Sequence, residues 1–283
     1  MSSYLSALLD PTMPFVRNAL VAGLLSAVLF GTLGAVVTVK RIAGLAGAIS
    51  HAVLGGIGMA LFLSAKGLVP GLPPIVGALI FALLAAAVIG YVSLRAKQRE
   101  DTVINAVWAI GMSIGVLFIA KTPGYADPMS YLFGNILLVS TIDLVMLAAL
   151  DVIVVLLAWR YYPQIEASAF DEEFARVRGV PTETVFLVTL AVTAVAVVLL
   201  QTFVGIVMVI AMLTLPSGTA GFIAKNLAAM MLGGAILSAI LISLGLVASW
   251  ALDMPAGAVV VVISGALFLL VSAVSALRAG RRR

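Results

Sequence analysis

The chain contains no cysteine and one histidine, His51. Without thiols there is no disulfide scaffold, no thiolate metal site and no cysteine nucleophile. A lone histidine excludes any mechanism that needs two imidazoles from one chain. Charge is scarce as well. Asp, Glu, Lys and Arg make up 10% of the 283 residues, against about 25% in an ordinary soluble domain. Hydrophobic residues fill the gap at 63% of the chain, more than a water-soluble fold of this size can bury. These proportions specify an integral membrane protein.

Other absences narrow the function. No G-x-x-x-x-G-K followed by Ser or Thr occurs, so the chain has no such cradle for nucleotide phosphates. No H-E-x-x-H and no paired-carboxylate helix lies in a hydrophobic run, which argues against an intramembrane hydrolase. The amino terminus, MSSYLSALLDPTMP, lacks a positive n-region, and no cleavable signal peptide is expected. There is neither a repeat of fixed period nor a low-complexity linker. One membrane domain over 1–283 is therefore expected.

A bilayer core about 30 Å thick needs about 20 apolar residues per helix. The uncharged runs give nine candidate spans, at 15–39, 44–65, 75–94, 103–120, 144–159, 184–200, 204–221, 227–250 and 256–274. The runs at 144–159 and 184–200 are short. An all-α polytopic bundle is the expected fold class.

With the amino terminus outside, the cytoplasmic side holds Lys40, Arg41, Arg95, Lys97, Arg99, Arg160, Arg176, Arg178, Lys225, Arg278, Arg281, Arg282 and Arg283. The opposite side keeps Arg17, Lys66 and Lys121. Thirteen basic residues against three is a strong positive-inside signal, and it places the carboxyl terminus in the cytoplasm. The Arg281–Arg283 tail reads as a membrane-surface anchor, with no nucleic-acid partner expected.

The largest cytoplasmic segment, 160–183, contains DEEFARVRG at 171–179, a short helix expected at about 170–180. Asp171 and Glu172 lie in its first turn and Arg176 and Arg178 in its last, with Gly179 at the C-cap and Pro181 beyond. Phe174 and Val177 make a small apolar ridge. Such a helix is either a solvated connector or a docking element for a groove on a cytoplasmic partner.

Two ionisable residues fall inside the spans, where they are costly and mark function by default. His51 sits a third of the way into the second span, beside Ser50. Gly47, His51 and Gly55 stack on one helix face, where small residues allow another helix or a second copy to approach. Imidazole is a common ligand for late first-row metals. The alternative is a packing histidine bonded to a backbone carbonyl or to Ser50. Asp151, in the fifth span, is a candidate cation ligand, a counter-charge for His51, or a protonated packing group. Asp143 lies about 80° away around the same helix. Pro216 is expected to kink the seventh span, with Ser217, Gly218 and Thr219 available to the freed backbone groups.

Five segments then fall in a telling order: SHAVL at 50–54, SYLFGNIL at 130–137, DEEFARVRG at 171–179, VGIVMVIA at 204–211 with PSGTA at 216–220, and PAG at 255–257. Together they resemble the permease subunits of the bacterial manganese/zinc/iron ABC importers, over residues 15 to 275. The resemblance implies an ABC importer permease fold in the bacterial cytoplasmic membrane and a permease homodimer. It implies a separate cytoplasmic subunit that binds ATP, so that this chain is a transport subunit rather than an enzyme. It also implies an extracytoplasmic metal-binding protein, and it makes Asp171, Glu172, Phe174, Ala175, Arg178 and Gly179 the helix that couples to the ATPase. Metal would be cargo, with no permanently bound cofactor. One departure matters: the family carries an Asp four residues before the histidine, and here that position is Gly47. Loss of a hard oxygen ligand disfavours manganese more than zinc, so zinc is the favoured cargo, over manganese or iron. Its loss also admits a metal chelate or other small solute. A proton-coupled secondary transporter using Asp151 and His51 is the reading from a different class.

Overall fold

The structure is a computed structural model and describes residues 2–95, 100–123, 134 and 139–280. Among the described residues it contains twelve helices and no strand. They are α1 (Ser2–Leu9), α2 (Pro14–Val39), α3 (Ala43–Ala65), α4 (Pro74–Arg95), α5 (Glu100–Lys121), α6 (Thr141–Arg160), α7 (Tyr162–Phe170), α8 (Glu172–Val177), α9 (Thr182–Val204), α10 (Ile206–Gly221), α11 (Leu227–Leu252) and α12 (Ala256–Gly280). Eight of these are long and apolar enough to cross a membrane: α2 to α6, α9, α11 and α12. The ninth expected span is α10, only 16 residues long, or about 24 Å at 1.5 Å per residue.

The two runs that looked short are full-length helices. α6 starts at Thr141 because Ser140 caps it: the Ser140 hydroxyl accepts from the Asp143 N–H, and the Asp143 carboxylate accepts from the Ser140 N–H. A carboxylate is stabilised in a first helical turn, so Asp143 ends the uncharged run without ending the helix. α9 takes up Glu183 in its first turn for the same reason and continues to Val204. Val204, expected to open the seventh span, thus closes the preceding helix. The break falls on Gly205, at φ 80° and ψ 159°, a backbone conformation essentially confined to glycine.

The chain packs as two compact units, each assembled from separated stretches. The first comprises residues 1–41, 133–162 and 203–283, and the second 42–132 and 163–202. In the first, α2 packs on α6, α10 and α11, and α12 packs on α10 and α11. These seams are built on small residues. A side chain at Gly31 would collide with Ala235, and one at Gly34 with Leu213 and Ser217. In lipid, helices gain little by burying apolar surface, so close backbone approach through Gly, Ala and Ser drives their association. The Ser217 hydroxyl accordingly reaches across to the Phe30 carbonyl at 3.2 Å, and that of Thr219 bonds Leu215 O at 2.7 Å within α10.

In the second unit α3 lies against both α4 and α5. Gly56 meets Gly77 of α4, while Gly55 and Gly58 meet Gly111 and Gly115 of α5. Outward positions remain apolar in each unit, as in Leu84 and Leu117 of the second and Val262 and Leu269 of the first, which suits a hydrocarbon surround.

Candidate functional site

The loop sequence Lys40-Arg41 ends α2 and α3 begins at Ala43, so His51 lies just over two turns into α3. Its Nδ1 is 2.8 Å from the Gly47 carbonyl oxygen. A carbonyl only accepts, so Nδ1 carries a proton, and the lone pair of this tautomer lies on Nε2. That is the arrangement by which metal-binding histidines are oriented, the second nitrogen donating to a carbonyl. Ser50 plays no part in it. Its fully buried hydroxyl donates to Ala46 O at 2.8 Å. The imidazole packs on the Trp108 indole of α5, with ring centroids 4.9 Å apart and planes at 49°.

The Gly47–His51–Gly55 face divides in two. A side chain at Gly44 or Gly47 would meet nothing within 4 Å, whereas one at Gly55 would press on Gly111 O at 2.8 Å and on the Phe81 ring at 2.9 Å. α5 closes over α3 from His51 and Ala52 onward, and α4 joins it at Gly55. Gly44, Gly47 and His51 therefore form the accessible stripe of an otherwise buried helix start. Trp108, Gly111 and Gly115 went unread in the sequence. Their spacing of three and four puts them on one helix face, a signal drowned in a uniformly apolar run.

Asp151 belongs to the first unit, His51 to the second. Asp151 is 7% exposed, the one buried charged residue among those described, and it shares a stripe with Leu147, Leu150 and Val154. Neither of its oxygens has a hydrogen-bond partner among the described residues. No group of three or more His, Cys, Asp or Glu able to hold a metal occurs among the described residues. His51 therefore belongs to no such group among the described residues.

The segment 160–183, expected to be cytoplasmic, holds two helices, not one. Besides α8, the stretch Tyr162–Phe170 is helical, with Pro163 in its first turn, where a missing N–H does no harm. Asp171 then caps α8 by accepting from the Phe174 N–H at 2.9 Å. At the other end Val180 N–H bonds Ala175 O and Gly179 N–H bonds Arg176 O, both at 3.0 Å, with Gly179 at φ 82°. This is a Schellman cap, which requires a left-handed residue at that position. Ala175 points inward and is 1% exposed, while Phe174 and Val177 are 55% and 87% exposed. The Arg178 guanidinium covers the Phe174 ring at 5.1 Å. Glu172 and Arg176 pair at 3.2 Å in solvent, a contact worth little to stability. Phe170, Asp171, Glu172, Glu173 and Arg176 line a cleft of about 390 Å³. The segment SYLFGNIL at 130–137 lies outside the described residues apart from Gly134.

Comparison with known proteins gives a consistent set of likenesses. The family model described as the ABC 3 transport family matches residues 12–275. An uncharacterised membrane protein of Synechocystis is 34% identical over 90% of this chain and 89% of its own. The manganese transport system membrane protein MntC of Halalkalibacterium halodurans is 32% identical over 90% of this chain and 86% of its own. Among solved structures, PsaBC from Streptococcus pneumoniae in complex with Fab superposes with a TM-score of 0.83 at 27% identity, covering 95% of this chain and 94% of that one.

Proposed function

The chain belongs to the ABC 3 transport family, and on that premise we propose that it is the permease of an importer for a divalent transition metal, zinc first. ATP would be hydrolysed by a separate cytoplasmic subunit, docked on α8. The observation that supports docking is the exposed ridge of Phe174 and Val177 on a doubly capped helix between two spans. In the same reading the amino terminus is external, the carboxyl terminus cytoplasmic, and an extracytoplasmic metal-binding protein supplies the cargo. Family membership favours ATP as the energy source over a proton relay through Asp151 and His51.

His51 Nε2 is the group proposed to meet the metal. Two copies, each presenting the open Gly44–Gly47–His51 stripe, would bring two imidazoles to one ion. Such a site binds weakly enough to release its cargo, unlike a closed four-ligand cage. The zinc assignment rests on imidazole chemistry without the carboxylate that Gly47 replaces. Manganese is the second reading, favoured by the name of the Halalkalibacterium relative. Uptake of labelled zinc by proteoliposomes holding the assembled transporter, with manganese as competitor, separates them. Inhibition by equimolar manganese with no inhibition of manganese uptake by zinc would reverse the order. Failure of any ATPase to co-purify would remove the ABC reading.

A further inference from the structure

Tyr162, the first residue of α7, is tied to the start of a transmembrane helix. Its phenolic oxygen accepts a hydrogen bond from the backbone N–H of Ala228 at 3.0 Å. Ala228 lies in the first turn of α11, where N–H groups have no partner inside the helix. Asn226 takes the next N–H, that of Ala229, at 2.8 Å. The cap of α11 is therefore shared between its own N-cap residue and a tyrosine 66 positions earlier in the chain.

From Tyr162 to the exposed ridge there is little slack. The Asp171 N–H donates to Ala167 O at 3.0 Å at the end of α7, and the same residue's carboxylate opens α8. α11 in turn meets α2 closely, with Ala235 against Gly31 and Ile242 against Gly23.

We propose that the Tyr162–Ala228 hydrogen bond is the link by which movement of α8 reaches α11, making Tyr162 a positioning residue for transport. The proposal rests on the reading of α8 as the ATPase-docking helix. A force on Phe174 passes through the α8 and α7 backbone to Tyr162. There a hydrogen bond to a helix end transmits it, because the bond is directional and fixes the ring oxygen against one N–H. Breaking the link should leave ATP hydrolysis running while fewer ions cross per ATP.

The test uses the complete transporter in proteoliposomes, with zinc ions as cargo and both rates measured together. Tyr162→Phe removes only the phenolic oxygen. Ala228→Pro removes the N–H by closing a ring on the nitrogen, within a first turn where proline is tolerated. Each should raise ATP consumed per ion imported by about fivefold, the factor one neutral hydrogen bond is worth. Combined, they should do no more than either alone, since both delete the same bond. A merely structural role would lower the two rates together and leave their ratio unchanged. An unchanged ratio in both variants, or multiplying effects in the double variant, overturns the link. Phe174→Asp in the same preparation isolates the premise: if the ATPase stays bound and fully stimulated, the docking reading falls and takes the link with it. If the ATPase dissociates while Tyr162→Phe keeps the normal ratio, docking stands and the link alone is wrong.

Discussion

His51 is positioned by two contacts, one to its own helix and one to its neighbour. The Gly47 carbonyl fixes the tautomer, and Trp108 holds the ring plane. Replacing the imidazole removes the nitrogen proposed to meet the metal and a ring contact worth about 1 kcal/mol. His51→Ala should therefore lower zinc uptake at least about tenfold, since loss even of a group that only orients a metal ligand costs about 10–100-fold, with only a small fall in the thermal midpoint. Normal uptake would leave the histidine a packing residue. Gly47→Asp asks the complementary question. A side chain there meets nothing within 4 Å, so a carboxylate one turn from the imidazole adds a hard oxygen ligand without a clash. Manganese should then compete better against zinc than it does in the unaltered protein, as read by competition uptake. That His51 is the candidate for chemistry was legible from its type and depth in the run. That Nε2 is the free nitrogen was not, because the tautomer follows from a bond made only in the folded helix.

Helix ends behave as their capping chemistry dictates, and two predictions belong to this scale. α8 was legible in kind, acids first and an arginine last with Gly179 beyond. It is shorter than the 170–180 expected, running from Glu172 to Val177 with Asp171 and Arg178 as its caps. Its function reading turns on the outward ridge. Phe174→Asp should abolish ATPase co-purification while membrane insertion stays normal, since the segment lies between spans. Equal recovery of the ATPase would mean α8 is a solvated connector. The α9–α10 junction was not legible, because apolar residues continue through it and hydropathy sees no boundary. It depends on Gly205 and its positive φ. Gly205→Ala forces a Cβ into a conformation that costs about 1–3 kcal/mol, so the thermal midpoint should fall by several degrees in a detergent melt. An unchanged midpoint would mean the break tolerates any residue. α7 went unread for a related reason: Tyr162–Phe170 has no strong periodic pattern, and its start is secured by a bond to α11.

For the whole molecule, charge asymmetry sets orientation and small residues set packing. Thirteen basic residues on one side against three on the other predict an external amino terminus and a cytoplasmic carboxyl terminus. The chain has no native cysteine, so single introduced cysteines report cleanly. A cysteine at Ser3 should react with an impermeant reagent in intact cells, and one at Ala279 should react only after permeabilisation. The reverse pattern would invert the topology.

Composition and sequence order alone determined that the chain spans a membrane as a helical bundle, that it carries no G-x-x-x-x-G-K followed by Ser or Thr, and that its resemblance lies with ABC importer permeases. Each of these depends on how many apolar residues run together and on which short motifs follow one another. Tertiary structure alone decided which glycines seal a seam and which leave a stripe open. Gly55 and Gly47 are equivalent in a sequence, four residues either side of one histidine. They differ in the fold because α4 and α5 converge on Gly55 and leave Gly47 uncovered. Likewise the shared cap at Ala228 arises from residues far apart in the chain. In lipid, helix faces are nearly all apolar, so hydrophobic pattern does not say which face meets which neighbour; close packing of small residues does.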